Sequence, residues 1–272
     1  MNRYRLIAAA LSGATLLASC DSLKSDTGLQ DITSAPASSR VKFHNFSPNS
    51  VGVNFYANNV KMTAIASSAC ASPATAADST ACTTTGEEST IGTKYGQVAS
   101  GGLYDAINPG QYTLAATIAG ASTVVSTATQ AIADGKYYSF FMSGPYNATA
   151  NTADAFVVED DIPTSIDATV GYVRFVNAIS DGADALTLYA TNTETKVESA
   201  VGSSVAYKAA GAFQKIAPGT YTIAVRYPGS TSNVYARTTT VSVLAGHVYT
   251  VTAYGTTTTN STLGLDFTEN QR

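Results

Sequence analysis

The chain has 272 residues, 44% of them hydrophobic and only 12% charged, with 15 basic against 19 acidic side chains and a net charge of −4. That length allows one or two domains with packed cores, and half the usual share of charge leaves Ser, Thr, Asn and Gly to keep the surface wet. Sequence-independent nucleic-acid binding is excluded, because it rests on runs of Lys and Arg that neutralise phosphates, and no such run is present.

The first element is a leader. Arg3 and Arg5 supply a positive start, and Leu6 to Ala18 follows as an apolar stretch. This order is that of a secretory signal, and the stretch is shorter than the about 20 residues that span a bilayer. It closes on Leu17-Ala18-Ser19-Cys20, which resembles the lipobox of bacterial lipoproteins. The resemblance implies a signal peptide over residues 1–19 and an acylated Cys20 at the mature N-terminus, carrying diacylglyceryl and palmitate-type chains. Loss of Arg3 and Arg5 moves the net charge from −4 to −6. Residues 20–39 hold the lipidated Cys and a polar segment without apolar periodicity, which reads as a flexible tether reaching roughly 25 Å.

The remainder is a duplication. Val41-Lys42-Phe43-His44-Asn45 recurs as Val173-Arg174-Phe175-Val176-Asn177, and VGVNFYA (51–57) as DALTLYA (184–190). Ile107-Asn108-Pro109-Gly110-Gln111-Tyr112 recurs as Ile216-Ala217-Pro218-Gly219-Thr220-Tyr221, and Gly135-Lys136-Tyr137-Tyr138 as Gly246-His247-Val248-Tyr249. The offset drops from 133 at Tyr56/Tyr189 to 109 at Tyr112/Tyr221, so the first copy holds about 24 extra residues. Cys70 and Cys82 lie in that insertion. In an exported chain an even pair reads as one local disulfide, and no His or acidic partner stands at zinc-ligand spacing.

Within each copy the hydropathy period is two, the mark of strands. Tyr221, Ile223, Val225 and Tyr227 alternate with Thr220, Thr222, Ala224 and Arg226, and the first copy does the same from Tyr112 to Ile118. One apolar and one hydroxylated face suit an antiparallel sheet with one wet side. The two Pro-Gly pairs predict type II turns, with glycine at positive φ. The fold class is therefore all-β, two tandem antiparallel β-sandwich (immunoglobulin-like) domains. The first spans 40–161 with the cysteine-bearing insertion, 162–170 is a linker, and 171–272 is the second.

VRFVNAISDGADALTLYA, IAPGTYTIAVRYPGS and LAGHVYTVTAYG resemble the bacterial family called domain of unknown function 4397. The second copy matches from Gly171 to Asp266, and the first at both ends. The resemblance implies a β-sandwich of exported, lipid-anchored or wall-associated proteins, and brings no catalytic motif with it.

Chemistry is sparse. The two histidines, His44 and His247, align with Val176 and Lys136 of the other copy and read as surface or hydrogen-bonded side chains. A Ser-His-Asp set is not excluded by order along the chain, but no Gly-x-Ser-x-Gly elbow, His-Glu-x-x-His helix or phosphate loop is present. Asp154, Glu159, Asp160 and Asp161 between the copies, and Asp181 and Asp184 beside a glycine, have the oxygen chemistry calcium takes. Neither group follows a calcium-loop pattern, and solvated turn acids are the expected reading. Tyr137 and Phe141 are platform candidates for a sugar, with packing against the neighbouring copy the expected fate. The sequence thus reads as a non-catalytic envelope lipoprotein, a non-enzyme without cofactor or metal, with a structural or adhesive role. Its membrane contact is the N-terminal lipid, at the outer membrane or cell surface before the inner, facing periplasm or exterior. The alternatives are a surface lipoprotein binding an envelope protein, glycan or peptide, and a hydrolase with an unrecognised site.

Overall fold

The computed structural model describes residues 38–63, 91–182, 184–234 and 239–271. Cys20, Cys70, Cys82 and the leader lie outside them. All described residues belong to one compact unit, Ala37–Arg272. The protein is all-β, with one sandwich for each copy.

In the first copy the strands are β1 Ser39–Asn45, β2 Val53–Ala57, β3 Val60–Lys61, β4 Gln97–Val98, β5 Asp105–Ile107, β6 Gly110–Ile118, β7 Val124–Ile132, β8 Tyr137–Asn147 and β9 Thr152–Glu159. One sheet runs β4-β1-β8-β9 with β5 also on β1, and the other runs β3-β2-β6-β7. The second copy repeats the plan with β10 Gly171–Ile179, β11 Thr187–Asn192, β12 Glu198–Ala200, β13 Ala209–Ala210, β14 Gln214–Ile216, β15 Gly219–Arg226, β16 Thr239–Val243, β17 Val248–Gly255 and β18 Gly264–Gln271. Its sheets are β13-β10-β17-β18, with β14 on β10, and β12-β11-β15-β16. Pairing is antiparallel except between β1 and β8 and between β10 and β17, which are parallel. A parallel pair needs a long crossover, and in each copy the other sheet of the sandwich supplies it.

Each sandwich fills its interior with alternate residues from both sheets. Val41, Phe43, Phe55, Leu114, Phe140 and Met142 form the first core, and Val173, Phe175, Leu188, Ile223, Val225 and Val251 the second. In the first, Phe43 stacks on Phe55 at 5.0 Å and both rings meet Phe140. The asparagine shared by the two opening strands closes the strand end: Asn45 Nδ2 donates to Thr93 O and Asn177 Nδ2 to Val205 O. Their Oδ1 atoms accept from the backbone N–H two residues on, of Ser47 and Ile179. This polar residue is kept for backbone satisfaction.

The Pro-Gly pairs do not form type II turns. Gly110 and Gly219 open β6 and β15 with φ of +154° and +157°, far from the about +80° of that turn. A Cβ at Gly110 would stand 3.5 Å from the Tyr112 ring, and one at Gly219 would stand 3.3 Å from Asn192 Nδ2. Glycine is required here by the positive φ, since these contacts alone would admit a Cβ with little adjustment.

The wet face expected of a sheet holds for β6 and β15 but fails for β1, β8, β10 and β17. All nine residues of β10 are buried, as are seven consecutive residues of β8. The second faces of the β1-β8-β9 and β10-β17-β18 sheets pack on each other. Phe46, Phe141, Phe156 and Val158 of the first copy form a third apolar cluster with Val176 and Ala178 of the second. The molecule is four sheets deep, and its middle interface joins the copies.

Candidate functional site: the joint between the copies

Strand register relates the two sides of this joint. Val41 lies opposite Asp105 and Val173 opposite Gln214, so Tyr104 corresponds to Phe213, and Lys42 to Arg174. Glu159 and Asp160, at and just past the end of β9, likewise correspond to Glu269 and Asn270 in β18.

The contacts then come in pairs. Arg174 Nη1 donates to the carbonyl of Glu159 at 3.1 Å, and Lys42 Nζ to that of Glu269 at 3.1 Å. The Arg174 guanidinium lies 4.8 Å from the Phe213 ring centre, and Lys42 Nζ lies 4.3 Å from that of Tyr104. Near the other end Tyr207, three residues before Ala210 of β13, reaches Ser143 at 2.9 Å and donates to Asp154 at 3.0 Å. Its counterpart Tyr95, three residues before Val98 of β4, donates to the Thr262 carbonyl. Each patch therefore meets the other copy's version of what it offers, the signature of a two-fold, isologous interface, here within one chain.

The departures from symmetry carry the chemistry. Asp160 is a carboxylate where β18 has Asn270. It forms a salt bridge with Arg174 in which the side chains are 0% and 2% exposed. Asp160 Oδ2 also accepts from Ser139 at 2.7 Å and Tyr104 at 2.6 Å, and Arg174 Nε donates to Thr250 at 2.9 Å. Asn270 Nδ2 donates to the Tyr104 oxygen at 2.6 Å, which links both halves in one network. Asn270 Oδ1 is buried without a partner. Lys42 thus has a carbonyl and a ring but no carboxylate bonded to it, and burial lowers its pKa to about 8, although Asp160 and Asp266 oppose the shift. Burial also raises the Asp266 pKa, against the hydrogen bond from Thr268.

A buried ammonium without a paired carboxylate is costly, and burying it against a pKa near 10.5 opposes folding by about 3 kcal/mol at neutral pH. Lys42→Met keeps the stem and removes the charge. It should leave the urea midpoint unchanged or raise it, and the difference from wild type should shrink as pH climbs from 8 towards 10.5, where Lys42 discharges in the folded protein.

Of the residues singled out in sequence, the joint gathers His44, Phe141, Asp154 and Asp160. His44 is neither a surface side chain nor a hydrogen-bonded one. It is 2% exposed, stacked 4.3 Å from Phe141, and both ring nitrogens lack partners. His247 is part-exposed and shares its Nδ1 with Glu269 at 2.5 Å. Phe141 is fully buried and so is no sugar platform, whereas Tyr137 is half-buried, edge-on to Tyr104 at 5.1 Å, and lines an opening with Asp160 and Asp161.

The acids divide. Asp160 is no solvated turn acid, Glu159 pairs with Lys136 at 2.7 Å, and Asp154 pairs with Lys208 at 2.6 Å. Asp181 accepts from the backbone N–H groups of Thr257 and Thr258, which lowers its pKa despite partial burial. Asp161 and Asp184 are exposed. Among the described residues no three His, Cys, Asp or Glu side chains converge as a metal site would need. Lys42, Tyr104 and Arg174 were not anticipated. The available signal was a cation at the same mid-strand position in both copies, between residues bound for a core.

Openings among the described residues include two larger ones. A cleft of about 660 Å³ lies where the Ala99–Gly102 turn of the first copy meets β18, bordered by Val98, Leu103, Asp266, Thr268 and Asn270. A groove of about 510 Å³ opens into the second sandwich beside Val197, Val201, Ile216 and Tyr221.

Fold and site together define a tandem β-sandwich protein whose copies are fused through an isologous internal face. Residues 171–272, the second copy, match the family model described as Domain of unknown function (DUF4397). No protein of curated function matches the sequence. Among solved structures, a family 26 carbohydrate-binding module from Eubacterium rectale Amy13K, in complex with maltoheptaose, is 9% identical. The alignment covers 86% of this chain and 97% of that one, with a TM-score of 0.24. A "putative cell adhesion protein" from Bacteroides ovatus is 11% identical over 87% and 98% of the two chains, with a TM-score of 0.19. Both superpose too poorly to inform the reading below.

Proposed function

We propose that this protein is a non-catalytic lipoprotein of the bacterial cell envelope, held to a membrane by acyl chains on Cys20 and serving structural or adhesive contacts. The observation that carries the reading is how the joint uses polar side chains. Chemistry at neutral pH needs an accessible acid, base or nucleophile, whereas His44, Lys42, Asp160 and Arg174 are sealed between the copies. What this arrangement provides is stiffness: two modules that hold one orientation at the end of a tether.

Two measurements test it. Cys20→Ala should abolish acylation and release the protein from membranes, because several acyl chains at about 0.8 kcal/mol per methylene dominate its membrane affinity. An unmodified N-terminus elsewhere, seen by mass spectrometry of native protein, would overturn the anchor. Purified mature protein should show no turnover across glycosidase, esterase and peptidase substrates, and turnover lost on mutating His247 or Asp154 would sink the non-catalytic reading. Cys70 and Cys82 are proposed to be bonded to each other. A loop of that size contributes about 3 kcal/mol at most.

A second reading, ligand capture, rests on the cleft beside β18. It is lined by the Asp266 carboxyl and the Thr268 hydroxyl next to exposed Leu103. That mixture suits a neutral polar ligand such as a glycan, and a glycan array with Leu103→Ala, a change at an exposed lining residue, as control separates it from purely structural service.

A further inference from the structure

His44 is the buried titratable group with no role in the network around it. The second copy places Val176 at this position, so packing alone does not call for an imidazole. The ring lies against Phe141 and, at 5.2 Å, Phe46, and neither nitrogen has a hydrogen-bond partner. The charges felt by His44 are Lys42 on its own strand and Arg174 on β10, both of which oppose a proton.

The remaining groups on the elements around the joint offer it no counter-charge. β8 brings the hydroxyls of Ser139 and Ser143. From β9 and its end, Asp154 is held by Lys208 and Tyr207, Glu159 by Lys136, and Asp160 by Arg174. On β17, Tyr254 stacks on Phe46 at 4.2 Å, and the Tyr95 hydroxyl is held by Thr262. On β18, Asp266 accepts from Thr268 and Glu269 pairs with His247. Tyr104 is bonded to Asp160 and Asn270. A proton on His44 would therefore create a third cation, unpaired and walled by aromatic rings, in a place where an isolated charge is not tolerated.

We propose that the joint between the two copies is acid-sensitive: protonation of His44 opens it and exposes the Phe46, Phe141 and Phe156 cluster. Burial holds the His44 pKa well below 6.5 while the joint is closed. The closed form therefore holds no proton, and the open form takes one below about pH 6.5. Stability of the joint is full above that pH and declines as pH falls through it. Each further unit multiplies the open fraction by up to about ten, until the closed-form pKa is reached. Asp105 on β5, with its pKa raised to about 6 by burial, titrates in the same window with the opposite sign, because the folded form binds its proton more readily. It cannot cause acid opening.

The test uses the whole mature chain and an apolar dye that fluoresces on exposed aromatic clusters, titrated from pH 7.5 to 5. Wild type should gain dye signal on the acid side of about pH 6.5, with matching loss of amide protection in β1 and β10 after correction for intrinsic exchange. His44→Val, which copies the second sandwich, should remove the rise, and His247→Gln should keep it. His44→Gln gives a second route should the valine variant fold poorly, since it can weaken the joint only equally at every pH. No acid rise in wild type, or an unchanged rise in His44→Val and His44→Gln, would overturn the proposal.

Discussion

Asp160→Ala should lower the stability of the chain by about 3–5 kcal/mol, the usual result of removing one member of a buried ion pair. The cost comes less from the lost attraction than from Arg174, whose side chain is 2% exposed and would keep its charge with Thr250, the Glu159 carbonyl and the Phe213 ring but no anion as partners. Ser139 and Tyr104 would lose their acceptor at the same time. Urea unfolding of the two single variants and the pair Asp160→Ala with Arg174→Met separates these contributions. The double variant should recover much of the loss, since neither a carboxylate nor a guanidinium is then left stranded. A loss below about 1 kcal/mol for Asp160→Ala would mean that water enters the joint freely and the pair is not desolvated.

Phe141→Ala should cost a similar amount, about 3–5 kcal/mol, as a large-to-small change at a fully packed site. This is the more telling experiment, because Phe141 belongs to neither sandwich core. Its ring is fully buried between His44 at 4.3 Å and Phe156 at 4.9 Å, within the cluster that Val176 and Ala178 complete from the second copy. If the copies moved independently, this side would be half wet and truncation would cost a few tenths of a kcal/mol. Phe140→Ala, one residue earlier and inside the first sandwich, provides the calibration. Comparable losses from neighbours on opposite faces of β8 would show that both faces are core. Limited proteolysis gives an independent readout: Phe141→Ala should hasten cleavage in 162–170, whereas a purely local defect would not.

The one-sided hydropathy of β6 and β15 was readable in sequence because these strands face a core on one side and solvent on the other, so alternation survives. In β8 and β10 it does not. YYSFFMSG and VRFVNA carry large or charged residues in both phases, and the second phase reads as surface when no neighbour is known. The same blindness affected His44 and Asp160. A histidine or aspartate in sequence is by default exposed, and only the packing of the other copy's sheet onto its own removes its water.

Duplication, strand content, turn positions and the sandwich class follow from the sequence alone, because they rest on local periodicity and on a repeat that can be read by eye. The resemblance of the second copy, Gly171 to Asp266, to the family whose model matches residues 171–272 was equally legible. Tertiary structure alone decided that the two copies share a third, two-fold interface and that Lys42, His44, Asp160 and Arg174 sit within it. It also decided that Tyr104 and Phe213 are the rings beneath the two cations. The physical reason is that desolvation is a property of the whole assembly. A residue's own type fixes what charge it can carry, but its surroundings fix whether that charge is solvated, paired or stranded.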